Sequence, residues 1–361
     1  MRSSIVLLAF LCVFAAPAGA LAQEREAYFY KGYDYGSQSL QSPLYAIVNR
    51  GFDAIQLRQD RTPIVKIVDT RNVVDNLFDP KGSIEPYGFG TWVKTEILPL
   101  DWTKTGARWV PNYGLHLLGG GQTYAWMREW FLARDAPEAL ATLGSAASLL
   151  VGALINESIE NKGVVGPNSD AFADIWVFDL GGMLLFSFEG VRRFFSKTVT
   201  LSDWSLQPAI TYPTGALHNV GSYYSLKIPI PFVPRLKFFA YGGYATMGGV
   251  SVKLDRQYSL AAAGGARISA FENPSGTLRV DNVIETSASA AAFLDRNESL
   301  LAFVQVSDID DYTFTANVYP NAFVRSVPGM GTWTAIGRDG RWVAGISFTH
   351  SIGVGLAMGT R

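Results

Sequence analysis

The chain has 361 residues, with 30 Lys+Arg against 31 Asp+Glu, 48% hydrophobic and 13% aromatic residues. That apolar fraction excludes a disordered chain, and a net charge of −1 lacks the basic excess of a nucleic-acid binder. A charged fraction of only 17% beside 36 glycines suits an envelope protein better than a cytosolic enzyme.

Residues 1–22 read as a signal peptide. Arg2 supplies the positive start, residues 5–16 are apolar, and Ala20-Leu21-Ala22 is a small-x-small cleavage site. The alternative is a membrane anchor, but the apolar run falls short of the roughly 20 residues a spanning helix needs. The single cysteine, Cys12, lies in this leader, so the mature chain is expected to hold no disulfide and no thiolate. The expected location is the bacterial outer membrane, with the periplasm as the alternative.

Residues 23–110 form a mixed N-terminal region. It opens on Tyr28, Phe29, Tyr30, Tyr33 and Tyr35. A helix is predicted at 43–57, a strand at the β-branched run 63–68, turns over 82–90, and another strand at 92–98. Trp102, Trp109 and Tyr113 read either as interfacial aromatics or as ordinary packing residues.

Residues 111–197 form a helical apolar region. Helix formers fill 123–134, and Pro137-Glu138 opens a second helix over 139–160. The run 139–156 has 18 consecutive uncharged residues, which suits either a spanning helix or a buried core helix. Its small residues allow close helix packing. A third apolar segment, 171–193, carries Asp174, Asp179 and Glu189, with Asp170 placed to cap it. Gly119-Gly120-Gly121 reads as a hinge or close-packing turn.

Residues 204–361 form a β region. Eight runs are separated by turn residues: 205–212, 221–230, 235–244, 258–270, 277–293, 300–307, 312–319 and 342–354. Thr313, Thr315 and Asn317 alternate with Phe314, Ala316 and Val318, the period of a strand with one polar and one apolar face. Small residues at 261–266 and 287–292 and aromatics near strand ends, such as Tyr223, Tyr224, Phe238, Phe239, Tyr241, Tyr244, Tyr319 and Phe323, suit a membrane barrel more than a soluble sandwich. The fold class expected is therefore α+β: a helical apolar segment followed by an antiparallel β-barrel of about 8–12 strands in the outer membrane.

The chemistry-bearing residues concentrate in the helical region: Asn112, His116, Glu157, Glu160, Asn168, Asp170, Asp174 and Asp179. Glu157 and Glu160 share a helix face. With His116 and Asp174 they are candidate acid/base groups or cation ligands. The alternative is that the two glutamates end a helix in solvent. His218 and His350 stand alone in strand regions. The sequence lacks a Gly-x-Ser-x-Gly elbow, a His-Glu-x-x-His pair and a P-loop, and no cofactor is expected.

The order of motifs in this region resembles an uncharacterised bacterial outer-membrane-associated family, a domain of unknown function. Asn112-Tyr-Gly-Leu-His116 resembles its Asn-x-x-x-His element, with Tyr124 following, and Glu157-Ser-Ile-Glu160 its Glu-x-x-Glu element. Pro167-Asn-Ser, Asp174 and Gly181-Gly182 resemble its Pro-Ser, Asp and Gly-Gly elements. The chain departs from that pattern at Asn156, where the family prefers Trp, and at Asp179-Leu180, where it prefers Thr-Pro. The resemblance implies an outer-membrane setting and a shared polar cluster, and no activity.

The functions that follow are three: an outer-membrane barrel with a structural or transport role; an envelope hydrolase, on lipid, using His116, Glu157, Glu160 and Asp174; or a soluble periplasmic β-rich binding protein. The partner expected is outer-membrane lipid, with a small-molecule or lipid ligand unidentified and no nucleic acid.

Overall fold

The computed structural model describes residues 26–57, 70–99, 109–161, 165–272, 283–309, 312–323, 328–349 and 353–360. The leader, the strand expected at 63–68, Trp102 and His350 lie outside the described residues. The fold is α+β, with a helical layer followed by one mostly antiparallel sheet.

Helix α1 spans Pro43–Gly51 and starts where the side chain of Ser42 accepts from the Tyr45 N–H, with Pro43 fitting the first turn. A 3₁₀ turn, Asp53–Leu57, completes the helix expected at 43–57. The strand expected at 92–98 is helical instead: Phe89–Trp92 runs on into Val93–Ile97. Val93 and Ile97 are four apart, and both pack with Trp92 against Phe178, so an apolar run read as a strand fits one helix face.

Three further helical pieces, with Arg71–Phe78 and several shorter turns, build the rest of the layer among the described residues. Helix α2, Gly121–Leu132, follows a π-helical stretch, Val110–Gly120, without a break, so the triple glycine lies inside helix rather than in a hinge. Helix α3, Glu138–Glu160, is long and apolar enough to cross a membrane, and a third of its most apolar stretch is buried in the protein. Helix α4, Leu180–Ser187, continues a second π-helical stretch, Ala173–Asp179. The cap of the short helix before it, Ser169–Phe172, is Asn168 and not Asp170. Gly152 allows α1 and α3 to cross closely: a Cβ there would lie 3.3–3.4 Å from the Arg50 stem.

The sheet begins at Thr200, slightly before the expected boundary. Its strands are β1 Thr200–Asp203, β2 Ala209–Thr211, β3 Ala216–His218, β4 Tyr224–Pro229, β5 Leu236–Gly242, β6 Ala245–Lys253, β7 Tyr258–Glu272, β8 Val283–Arg296, β9 Ser299–Ser307, β10 Phe314–Val318, β11 Met330–Ile336, β12 Trp342–Phe348 and β13 Gly355–Gly359. Among the described residues, thirteen segments therefore stand against the 8–12 expected. They are ordered β1-β4-β5-β6-β7-β8-β9-β10-β11-β12-β13-β2-β3, so the ladder is not closed by continuous pairing. All pairs are antiparallel except β13–β2, where Gly355 lies opposite Ala209 and Ala357 opposite Thr211.

The two ends of that order belong to one hairpin. Thr200 opposes Lys227, Asp203 opposes Tyr224, Ala209 opposes His218 and Thr211 opposes Ala216, with no slip between them. The Trp204 and Leu206 N–H groups bridge the gap, donating to the Tyr223 and Gly221 carbonyls at 2.8 and 3.0 Å. The return bonds are taken over by side chains. Asn49 of α1 donates to the Leu206 carbonyl at 3.1 Å and accepts from the Gly221 N–H at 2.9 Å. An amide side chain thus replaces one rung of the ladder.

The two faces of the sheet differ in kind. Phe239, Tyr241, Phe293, Phe303 and Tyr319 pack with Trp204 and Tyr223 in the interior, together with Tyr45 from α1. Of the aromatics expected near strand ends, Tyr223, Phe239, Tyr241 and Tyr319 fill the inside, Tyr224 is buried under the helical layer, and Phe238 and Phe323 are exposed. The same interior holds Lys227 beside Asp295 at 2.8 Å and Glu298 at 2.5 Å, and a network of Gln207, Asn219, Asn317 and Ser347. On the outer face stand Val304, Val306, Leu356 and Met358. The helical layer covers the outer side of the β1–β4 and β2–β3 hairpin: α2 reaches Tyr224 and Leu201, and α1 and α3 reach Leu217 and Val220.

Asn49→Leu leaves the Gly221 N–H and the Leu206 carbonyl without their bridge. Each orphaned group costs about 1–3 kcal/mol, so a denaturation midpoint well below wild type is expected. Asn49→Asp keeps the acceptor alone and should fall between the two.

Candidate functional site

The site forms where α1, α3 and the two π-helical stretches meet. A π-helical turn is rare and recurs at functional positions. Here His116 sits on the first stretch and Asp174 on the second, and Glu157 comes from the last turns of α3. The structure brings these three buried side chains together, each offering one ligand atom within 4.8 Å of the others. Glu160 is not in that group, but it lines the same cavity.

That cavity has a volume of about 60 Å³. Its wall includes Arg50, Asn112, His116, Asn156, Glu160, Asp170 and Asp174 from the helices and Ser222, Tyr244 and Ile268 from the sheet region. The site therefore lies between the helical layer and one end of the sheet.

Amide side chains in and behind the wall are held by polar partners. Asn112 donates to the Glu96 carbonyl at 2.8 Å, and Asn156 accepts from the Ala54 N–H at 3.0 Å. Glu157 is fully buried, so the reading in which it ends a helix in solvent fails. Its Oε2 accepts from Asn161 at 3.1 Å. Asn168 donates to Asn161 at 2.6 Å, and its own N–H donates to Asn76 at 2.8 Å. This chain of amides allows a carboxylate to sit where water does not reach.

His116 is oriented from behind. Its Nδ1 lies 3.2 Å from Asp179 Oδ1 and 3.2 Å from Arg50 Nη2, and its Nε2 faces Asp174 Oδ2 at 3.7 Å. Arg50 donates to Asp179 as well, forming a buried ion pair. Burial pushes the Asp174 carboxyl well above the usual range, and Asp170, Glu157, Glu160 and Glu96 push it further in the same direction. Burial pulls Arg50 down, but Asp179, with Tyr224 and Asp53, holds the guanidinium above its ordinary value.

Sequence reasoning had picked out His116, Glu157, Glu160 and Asp174, and it noted Asp179 without assigning it a partner. It missed Arg50, whose signal was faint: a charged residue in an otherwise apolar stretch of α1. Asn161 and Asn76 were missed as well. His218 is buried in β3 beside the Tyr312 hydroxyl at 3.2 Å and is not part of this group. Comparison with protein-family models, with curated proteins and with solved structures finds no match.

Arg50→Ala strands a fully buried Asp179 carboxylate. Breaking a buried pair from one side costs about 3–5 kcal/mol, so a sharp fall in folded yield is expected. Asp53 supplies a pH test. Burial pushes its carboxyl well above the usual range, against the pull of the Ser222 N–H, the Gln56 amide and Arg50. The folded chain keeps this proton after the unfolded chain has released its own near pH ~3.9. Stability from this group is thus fully present below that pH and declines as pH rises toward the folded-state pKa. Asp53→Asn should flatten this decline in a series of denaturation curves measured from pH 4 upward.

Proposed function

We propose that the chain is an outer-membrane β-barrel protein, a lipid-embedded scaffold that carries the helical layer and its polar cavity. The observation behind this reading is the inverted sheet. Exposed positions on β5–β13 include Phe238, Val250, Leu260, Val304, Val306, Ile336, Leu356 and Met358, while Lys227, Asp295, Gln305, Asn317 and Ser347 point inward. A soluble sheet hides its apolar face, whereas a membrane barrel turns it to lipid.

Barrel closure is supported by the hairpin register. If β1 and β2 are one strand and β3 and β4 another, the thirteen segments become eleven, and the order becomes a ring. An up-and-down ring with an odd number of strands needs one parallel pair, and β13–β2 supplies it. The free edge of β1 is covered from the N-terminal side, where Ser37 donates to the Asp203 carbonyl at 3.2 Å and Tyr45 to the Ser205 carbonyl at 2.8 Å. The aromatic interior favours a scaffold over an open pore.

A second reading, an envelope hydrolase acting on lipid, is favoured by the grouping of His116, Glu157 and Asp174 beside the cavity. The two readings are compatible, since a lipid-embedded scaffold would hold such a site next to its substrate. The resemblance to an uncharacterised outer-membrane family is in keeping with the first.

The test is envelope fractionation with an alkaline wash and a heated-versus-unheated gel. The chain should stay in the outer membrane, and its unheated band should migrate differently from the heated one. Val304→Arg places a charge on the lipid face, costs about 2–4 kcal/mol near the bilayer midplane, and should lower the inserted fraction. Release by the wash, with Val304→Arg as stable as wild type, would favour the soluble periplasmic reading.

A further inference from the structure

We propose that His116, Glu157 and Asp174 form a binding site for a divalent first-row cation of the Zn2+ or Mn2+ type. One imidazole with two carboxylates is a mixed N/O donor set, which suits these ions better than a soft thiolate site would.

The geometry is close to what ligation needs. Two ligand atoms about 2.1 Å from a tetrahedral ion lie about 3.4 Å apart. His116 Nε2 and Asp174 Oδ2 are already 3.7 Å apart, and the whole group falls within 4.8 Å.

Two further observations point to a ligand and not merely to a cluster of acids. Asp174 Oδ1 is buried in the cavity wall and accepts no hydrogen bond among the described residues, although the residue is only 6% exposed. A buried oxygen in that state is costly unless something positive meets it. The second observation is the support behind His116. Nδ1 lies 3.2 Å from both Asp179 Oδ1 and Arg50 Nη2; in the tautomer whose Nδ1–H donates to Asp179, Nε2 is an acceptor facing Asp174 Oδ2 at 3.7 Å, and a cation between the two favours that tautomer. A carboxylate behind a histidine is the usual way a ligating imidazole is fixed in tautomer and direction. Arg50 holds that carboxylate in place from the far side, so the supporting shell is itself buried and rigid.

The site rests on the helical layer and does not depend on barrel closure. A failure of the membrane reading would leave it untouched, and the reverse also holds. The experiment uses the purified full chain, stripped with chelator and then equilibrated with Zn2+ or Mn2+. Elemental analysis should return one tightly held equivalent of one of these ions. His116→Gln and Asp174→Asn should each weaken binding by about tenfold or more, while Glu189→Gln, an exposed residue outside the cavity wall, should bind as wild type does. Circular dichroism and the heated-versus-unheated gel check that the variants fold. Should either ligand variant fail to fold, pulsed EPR of the wild-type chain with Mn2+ decides: a histidine nitrogen coupled to the ion supports the site. No retained metal in folded wild type, binding unchanged in folded Asp174→Asn, or bound Mn2+ without nitrogen coupling would each overturn the proposal and leave a proton as the group shared by His116 and Asp174.

Discussion

Asp179 has no access to water, so its charge must be met from inside the protein. Arg50 meets it, and that one requirement sets much of the rest. Arg50 is at the end of α1, so its pairing fixes how α1 lies against the second π-helical stretch. Gly152 leaves room on α3 for the Arg50 stem, so α3 docks on the same spot. The neighbouring residue, Asn49, then reaches the opposite way and replaces a rung of the hairpin ladder. Two adjacent residues thus tie the buried charges of the helical layer to the hydrogen bonds of the sheet.

The parts of the fold that were legible in the sequence are those set by local pattern. The alternation of Thr315 and Asn317 with Phe314, Ala316 and Val318 gives both the strand and its facing, with the polar residues inward. The charge-free run after Pro137 gives α3 nearly to the residue. Strands β6 and β11 were not read, because Gly248, Gly249 and Gly331 look like turn punctuation. At Gly249 the glycine serves close strand approach instead: a Cβ there would lie 1.9 Å from the Ala262 carbonyl oxygen of β7.

What stayed hidden depends on distant partners. Glu157 and Glu160 share a face by spacing, but spacing does not say whether that face meets water. Asn161, Asn168 and Asn76 decide the question, and Asn76 is over eighty residues away in the chain. The pairing of β13 with β2 is likewise non-local and carries no local sequence mark. Nor did helical periodicity announce the π-helical stretches, although they carry His116 and Asp174. The candidate residues were therefore readable by type, while their convergence was not.

The sheet raises the question of what selects its register. A slip of one residue would turn every side chain to the other face. Outside, Val304, Val306, Leu356 and Met358 make few specific contacts, so they discriminate weakly between registers. Inside, the discrimination is strong. Gln207 donates to Asn317, Asn219 donates to Asn317 and Ser347 donates to Gln207, and Lys227 reaches two carboxylates. A slip would take these groups from their partners and bury them unpaired, at about 1–3 kcal/mol each and more for the charges. Such bonds add little net stability, but their loss is costly, which makes them good selectors of one arrangement.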